Sequence, residues 1–502
     1  MKVAVCASEA VPFAKTGGLA DVVGALPAAL RKKGVDSFVI MPGYKSIFEK
    51  NYPVQLVSAN AKVQMNGSSN IEFDLYMTTL NNVDFYFVRN DSLFGRANLY
   101  GTSQGDYTDN NLRFGFFSKA IFKVLELISV VPDIIHLHDH HFGLAALLLH
   151  DIKKHDKATF YKDTKTVFTI HNLAYQGVYG SETLQLCGIS REYFTTEGLE
   201  FYGKVNFMKA GIVYSDKITT VSPTYSREIL TAQYGYHLED VLKSRERDLL
   251  GIINGIDYSV WDPAKDKAIF ANYDLNDLAG KKKCKDSLIL SAFGQVNAGN
   301  MKSGQDKSIQ AGKPDKPMIG MVSRLSEQKG IDLITSGMEA IMKNDLYLVI
   351  LGTGDEKYHN ILLEMQAIYK DKFNLTIGYS DKLSREIYSG SDIFLMPSNY
   401  EPCGLGQLIS LKYGTIPVVR NTGGLADTII DIKNSDDIYK GGQGFKFNEY
   451  DTEAFYRALK TALDFYDNKG LWNKIVKNGM ASDFSWDYSA GKYKELYESI
   501  GQ

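Results

Sequence analysis

Short β-rich runs alternate with longer amphipathic stretches along this chain, and they do so in both halves. In the first half the strand-like runs fall at residues 3–7, 35–41, 84–88, 134–138, 166–170 and 217–221. In the second half they fall at 318–322, 346–351, 374–377, 393–397 and 416–420. Helical spacing of apolar residues appears between them, as at 19–33, 111–128, 330–342 and 452–465. Strand–helix alternation predicts βαβ units and parallel sheets. The chain has 502 residues, beyond the roughly 250–300 at which one core stops growing. The expectation is therefore α/β: two doubly wound parallel-sheet domains. The pattern breaks near 251–263, which sets the domains at 1–253 and 254–484. A final helix at about 486–500 is expected to cross back, so that 485–502 packs on the first domain. Residues 280–317, rich in Lys, Gly, Ser, Asn and Gln, read as a solvated surface excursion.

Composition removes several classes of function. The formal net charge is −3, whereas nucleic-acid binding needs a basic footprint. The four cysteines, Cys6, Cys187, Cys284 and Cys403, are widely spaced and form no CxxC. Neither a zinc site nor a disulfide framework is suggested, which fits a reducing cytoplasm. The first residues enter an apolar strand without a basic leader. No run reaches the roughly 20 apolar residues needed to span a bilayer, so no membrane partner is expected.

The motifs with chemical content sit just after predicted strands, where ligands bind in open α/β sheets. Thr16-Gly17-Gly18-Leu19-Ala20-Asp21 recurs as Thr422-Gly423-Gly424-Leu425-Ala426-Asp427. Each copy opens a helical pattern, so each offers backbone N–H groups to an anion. Lys15 precedes the first turn. Arg324 and Lys329 lie in Ser323-Arg324-Leu325-Ser326-Glu327-Gln328-Lys329-Gly330, read as a turn after a strand ending near 322. Arg provides a planar fork and Lys a point charge for phosphate oxygens. Glu401-Pro402-Cys403-Gly404-Leu405 follows the strand at 393–397 and opens a helix. Cys403 has no His near it in sequence and reads as a packed thiol.

His136-Leu137-His138-Asp139-His140-His141 suggests a metal site, but alternate strand residues face opposite ways, and no HExxH spacing is present. Asp139 and His171 are better read as substrate contacts at strand ends. There is no GxGxxG, no Walker GxxxxGK[ST] and no Asp-x-Asp. Dinucleotide oxidoreductases, P-loop NTPases and metal-borne transfer through that last motif lose support.

Lys15-Thr16-Gly17-Gly18-Leu19, His171-Asn172-Leu173-Ala174-Tyr175-Gln176-Gly177, Val221-Ser222-Pro223-Thr224-Tyr225, Asn254-Gly255-Ile256-Asp257, Ser323–Gly330 and Glu401–Leu405 stand in this order along the whole chain. They resemble the bacterial glycogen synthase and plant starch synthase family. The resemblance implies the GT-B fold, two Rossmann-like domains with an interdomain cleft. It also implies transfer of glucose from ADP-glucose to the non-reducing end of an α-1,4-glucan with retention of configuration, with no cofactor and no metal. By the same resemblance Lys15, Arg324 and Lys329 hold the donor diphosphate. His171, Asp139 and Glu401 surround the glucosyl unit, and these six form the catalytic set. Gly18, Cys403, Gly404, Leu405, Thr422, Gly423 and Gly424 line the donor, and Tyr379 packs on adenine. Two positions depart from the family pattern: Gly406 stands where Thr is usual, and Ile409 where a second Glu occurs in related enzymes.

Three other readings share parts of this pattern: a glucan phosphorylase carrying pyridoxal phosphate, a nucleotide-sugar epimerase, and a non-catalytic glucan-binding protein. The first expected outcome follows from the cations that stand in for a metal at the leaving diphosphate. Glucosyl transfer should persist in EDTA. Complete loss, restored by Mg²⁺ or Mn²⁺, would contradict it.

Overall fold

The computed structural model describes residues 1–50, 52–67, 69–102, 104–298 and 316–500. They form two compact units: Met1–Gly255 together with the segment from Ser485 onward, and Ile256–Phe484.

Unit 1 is built on a nine-stranded sheet. Its strands are β1 (Lys2–Cys6), β2 (Asp36–Pro42), β3 (Gln55–Asn66), β4 (Ser69–Leu80), β5 (Val83–Arg89), β6 (Ile134–His138), β7 (Lys165–Ile170), β8 (Lys217–Thr220) and β9 (Leu249–Gly251). Their order is β9-β8-β7-β6-β1-β2-β5-β4-β3. The seven strands from β9 to β5 pair in parallel. They read as near-continuous apolar runs because helices cover both faces; Val3, Ala4, Val5 and Cys6 are wholly buried. β4 and β3 add an antiparallel ribbon at one edge. The ribbon escapes the sequence pattern because only half of β3 alternates buried with exposed residues.

The helix Gly18–Lys32 buries Leu19, Val22, Val23, Leu26 and Leu30, and carries Arg31 and Lys32 in its last turn, where cations complement the helix dipole. The helix Trp486–Ile500 packs on this unit. Asp487 pairs with Lys33 at 2.8 Å, Ser489 Oγ donates to the Ile253 carbonyl at 2.6 Å, and Trp486, Tyr493 and Tyr497 are buried.

Unit 2 has six parallel strands: β10 (Met318–Leu325), β11 (Tyr347–Gly354), β12 (Phe373–Ile377), β13 (Ile393–Met396), β14 (Ile416–Arg420) and β15 (Phe445–Phe447). Their order is β12-β11-β10-β13-β14-β15. Two sequence expectations change here. β10 runs on to Leu325, so Arg324 lies within a strand, opposite Thr353, and not in a turn. The extension is possible because Gly352 and Gly354 let the backbones meet: a Cβ there would stand 2.1 Å from the Ser323 oxygen and 2.3 Å from the Leu325 oxygen.

The second change concerns the expected surface excursion at 280–317. Its first part is a helix, Ala279–Ala298, which buries Cys284, Leu288, Ile289 and Phe293 in the unit 2 core. Its lysines are anchors. The Lys281 ammonium donates to the carbonyls of Ser389, Ser391 and Tyr413. Lys285 pairs with Asp392 at 2.7 Å, both side chains nearly buried, and also donates to Tyr466 Oη. Residues 299–315 lie outside the described residues. No helix among the described residues is long and apolar enough to cross a membrane.

Removing one member of a buried ion pair strands the other charge, a cost on the order of 3–5 kcal/mol. Lys285→Ala should therefore destabilise unit 2 by about that much in urea unfolding, whereas Lys285→Met with Asp392→Asn should cost clearly less. A solvated lysine would give no change in either variant.

Candidate active site

In each unit the strand that starts the doubly wound sheet has neighbours added on both sides. β1 lies between β2 and β6, and β10 between β11 and β13. Such a reversal of strand order opens a crevice at the carboxyl ends, and the motif residues fall there.

In unit 1, the loop after β1 carries Ser8, Glu9 and the exposed Lys15–Gly18 turn. Glu9 is 3% exposed and its carboxylate fills the turn. It accepts the N–H and hydroxyl of Thr16, the N–H of Gly17 at 3.1 Å and the hydroxyl of Tyr100 at 2.7 Å. The Thr16 and Gly17 amides are thus already engaged by an internal anion. Gly18 begins the helix Gly18–Lys32, and Lys15 pairs with Asp21 at 2.7 Å. Glu9 was missed in the motif reading; its only signal is a carboxylate three residues beyond a strand end.

After β6, Asp139 adopts φ 61° and ψ 175°, a region essentially restricted to glycine that costs about 1–3 kcal/mol and concentrates at functional sites. The conformation is held by its backbone N–H donating to the Thr169 carbonyl at 2.9 Å. Its Oδ1 accepts the His171 N–H at 2.8 Å. Burial pushes the Asp139 carboxyl up to about 7, against the lowering effect of the His171 and Asn172 amides. Burial pushes the His171 ring down to about 3, so that it is a neutral imidazole at neutral pH. Asp139 and His171 are brought together as expected for one site. The histidines of β6 and those after it do not converge: His136 and His138, within the strand, lie side by side with ring centroids 4.1 Å apart, while His140 stacks on His141.

In unit 2, Lys329 ends a short turn of helix, Glu327–Lys329. Its ammonium pairs with Glu401 at 2.5 Å, with side-chain exposures of 17% and 6%. Lys329 is thus no surface cation, because the loop after β13 brings the carboxylate onto it. Glu401 also accepts the Ser398 hydroxyl at 3.0 Å. Arg324 is exposed and reaches Gln328 Oε1 at 3.0 Å.

The second Gly-Gly turn packs against the Glu401 loop. Gly424 N–H donates to the Glu401 carbonyl at 3.0 Å. A Cβ at Gly423 would lie 2.0 Å from that oxygen, and one at Gly424 would lie 2.1 Å from the Cys403 oxygen. The Gly424 amide is therefore engaged inside the protein in this structure. Thr422 caps the six-residue helix Gly423–Thr428. Cys403 is buried, Gly404 takes φ +73°, and Leu405 is the N-cap of the helix Gly406–Lys412. Ile409 is buried in the core, so no second carboxylate faces the site from that position. Tyr379, beyond β12, is 82% exposed and stands two strands away from β10 in the sheet.

The starch synthase catalytic domain family model matches residues 2–244, and the glycosyl transferases group 1 model matches 304–479. The chain is 45% identical over 501 residues to the glycogen synthase of Geotalea daltonii, covering 100% of this chain and 99% of the relative. It is 42% identical over 504 residues to that of Pseudothermotoga lettingae, covering 99% and 98%. The chain belongs to the glycogen and starch synthase family. The solved catalytic domain of starch synthase IV from Arabidopsis thaliana superposes with a TM-score of 0.86 at 31% identity, covering 100% of this chain and 99% of that one. A sucrose-phosphate synthase from Thermosynechococcus elongatus shares the fold alone, with a TM-score of 0.59 at 16% identity over 99% and 98% of the two chains.

The protein is a glucosyltransferase with the GT-B fold, and the epimerase and non-catalytic readings fall. The raised Asp139 pKa yields an expected outcome. An acid whose folded pKa lies above its unfolded value binds its proton more tightly when folded. Stability from this group therefore declines as pH rises from about 4, the unfolded value, to about 7. Asp139→Asn keeps the acceptor for His171 and cannot ionise. It should match wild type in stability near pH 4 and exceed it at pH 8, with lower activity; a pH-independent stability difference would refute this.

Proposed function

We propose that this glucosyltransferase takes its glucosyl unit from ADP-glucose and adds it to the non-reducing end of an α-1,4-glucan with retention of configuration. The observation that carries this reading is the Lys329–Glu401 ion pair beside Arg324, at the switch point of the unit 2 sheet. In this reading Arg324, near the end of β10, and Lys329, just beyond it, serve the diphosphate, and Glu401, in the loop after β13, serves sugar hydroxyls. The choice of nucleotide is supported by the Arabidopsis starch synthase IV domain, which was solved bound to ADP and acarbose.

In this reading unit 2 binds the donor and unit 1 the acceptor. Breaking the anomeric C–O bond leaves negative charge on the diphosphate, which Arg324, Lys329 and Lys15 stabilise as it develops. The exposed ring of Tyr379 packs on adenine. Glu401, held by Lys329 and Ser398, accepts hydrogen bonds from glucose hydroxyls and is not a covalent nucleophile. A nucleophile would normally pair with a second carboxylate, and Ile409 occupies the nearest candidate position. Asp139 and His171 contact the glucosyl unit. Four buried free thiols accord with a reducing, cytoplasmic setting.

Incubation with glycogen and either ADP-glucose or UDP-glucose tests the donor: ADP release should dominate, and a preference for UDP-glucose would overturn the assignment. Arg324→Ala should lower kcat by roughly 10²–10³, about 2.7–4 kcal/mol of barrier, with unchanged stability because the side chain is exposed. Lys329→Ala should lose both rate and stability, since it leaves Glu401 buried and unpaired. Glu401→Gln should keep part of the activity that Glu401→Ala loses. A β-glucosyl azide from the Ala variant in azide would establish a nucleophile and end this reading.

A further inference from the structure

We infer that His138 is a positioning residue for glucosyl transfer: its Nδ1–H donates to Nε2 of His171, so that His171 carries its own proton on Nδ1 and offers that N–H to the substrate. The inference rests on the proposal that His171 contacts the glucosyl unit.

The two nitrogens stand 2.9 Å apart. His138 is wholly buried, as is its neighbour His136, whose ring centroid lies 4.1 Å from that of His138. His136 is itself fixed at both nitrogens, Nδ1 at 2.7 Å from Tyr497 Oη and Nε2 at 2.6 Å from Thr169 Oγ1. Tyr497 belongs to the helix Trp486–Ile500, so that helix backs His136. His138 lies between His136 and His171, with ring centroids 4.1 Å and 5.2 Å away.

The count of protons then decides the direction of the bond. A neutral imidazole carries one N–H, and its other nitrogen accepts. His138 Nε2 is buried with no hydrogen-bond partner among the described residues. Either way Nε2 is left unpartnered, but a buried N–H with nothing to receive it is the rarer arrangement, an open buried acceptor the more tolerated one. A proton on Nδ1 is used in the bond to His171. His171 Nε2 must then be the acceptor, and the His171 proton sits on Nδ1. Burial holds His136 and His171 down to about 3 and His138 well below the ordinary imidazole value, so none of the three charges at neutral pH. The ring thereby presented is a fixed neutral donor suited to a sugar oxygen, and its tautomer is set by a residue that does not itself touch substrate.

Nitrogen-15 NMR of the histidine-labelled enzyme tests this directly, with His171 assigned from the spectrum of His171→Asn. The wild type should show His171 protonated at Nδ1 and bare at Nε2; the opposite tautomer would overturn the inference. His138→Leu should lower kcat about 10- to 100-fold, the scale of losing an outer hydrogen-bond partner, with the KM for donor nearly unchanged. His138→Asn, which places an amide donor near the Nδ1 position, should recover most of that loss. Wild-type kcat in His138→Leu, or no recovery by Asn in a folded variant, would also overturn it. If neither variant folds, the wild-type tautomer decides. A fully active His171→Ala would remove the site assignment and this inference with it, whereas a wrong tautomer beside an inactive His171→Ala defeats the inference alone.

Discussion

In a parallel sheet every strand delivers its carboxyl end to the same edge, and every connection must cross a face to return. Chain ends, loops and helix starts therefore crowd one rim, most openly where strand order reverses. Both units obey this, at β1/β6 and at β10/β13. The crowding is extreme in unit 2. Gly330 takes φ +74°, and a Cβ there would lie 2.1 Å from the Pro397 oxygen. Gly423 and Gly424 meet the Glu401–Cys403 backbone as closely. These contacts are backbone against backbone, and side chains at those positions would push the three loops apart.

A rim rich in amides and cations cannot be left uncompensated while it lies partly out of water. Carboxylates of the chain itself take up the charge. Glu9 fills the Thr16–Gly17 turn, Asp21 holds Lys15, and Glu401 holds Lys329. Binding an anionic donor at such a rim is an exchange of partners, and the net gain is the difference between two sets of charge-assisted bonds.

The strand–helix rhythm was legible because buried parallel strands have a distinctive apolar density, and β6 and β14 begin and end where the pattern puts them. The motif residues stood out because they follow predicted strands, and the structure keeps Lys15, Asp139, His171, Lys329 and Glu401 beyond strand ends. What escaped was whatever depends on partners distant in sequence. Lys281 and Lys285 read as solvent-facing until the carbonyls of Ser389 and Ser391 and the carboxylate of Asp392 are seen beside them. Arg324 reads as a turn residue until β11 is seen to extend alongside it. The repeated Thr-Gly-Gly-Leu-Ala-Asp reads as two anion sites, yet Glu9 takes amides of the first turn and the Glu401 carbonyl takes the Gly424 amide of the second.

The helix Trp486–Ile500 belongs to unit 1 although all of unit 2 separates it from the rest of that unit. On the ribosome, Ile256–Phe484 is synthesised before the residues that supply Tyr497 to His136 and Ser489 to the Ile253 carbonyl. Domains usually fold in the order they are made. Here the first unit begun is the second one finished, and until synthesis reaches Tyr497 its imidazole row lacks a wall. Unit 1 must wait, partly assembled, through 229 residues of someone else's fold.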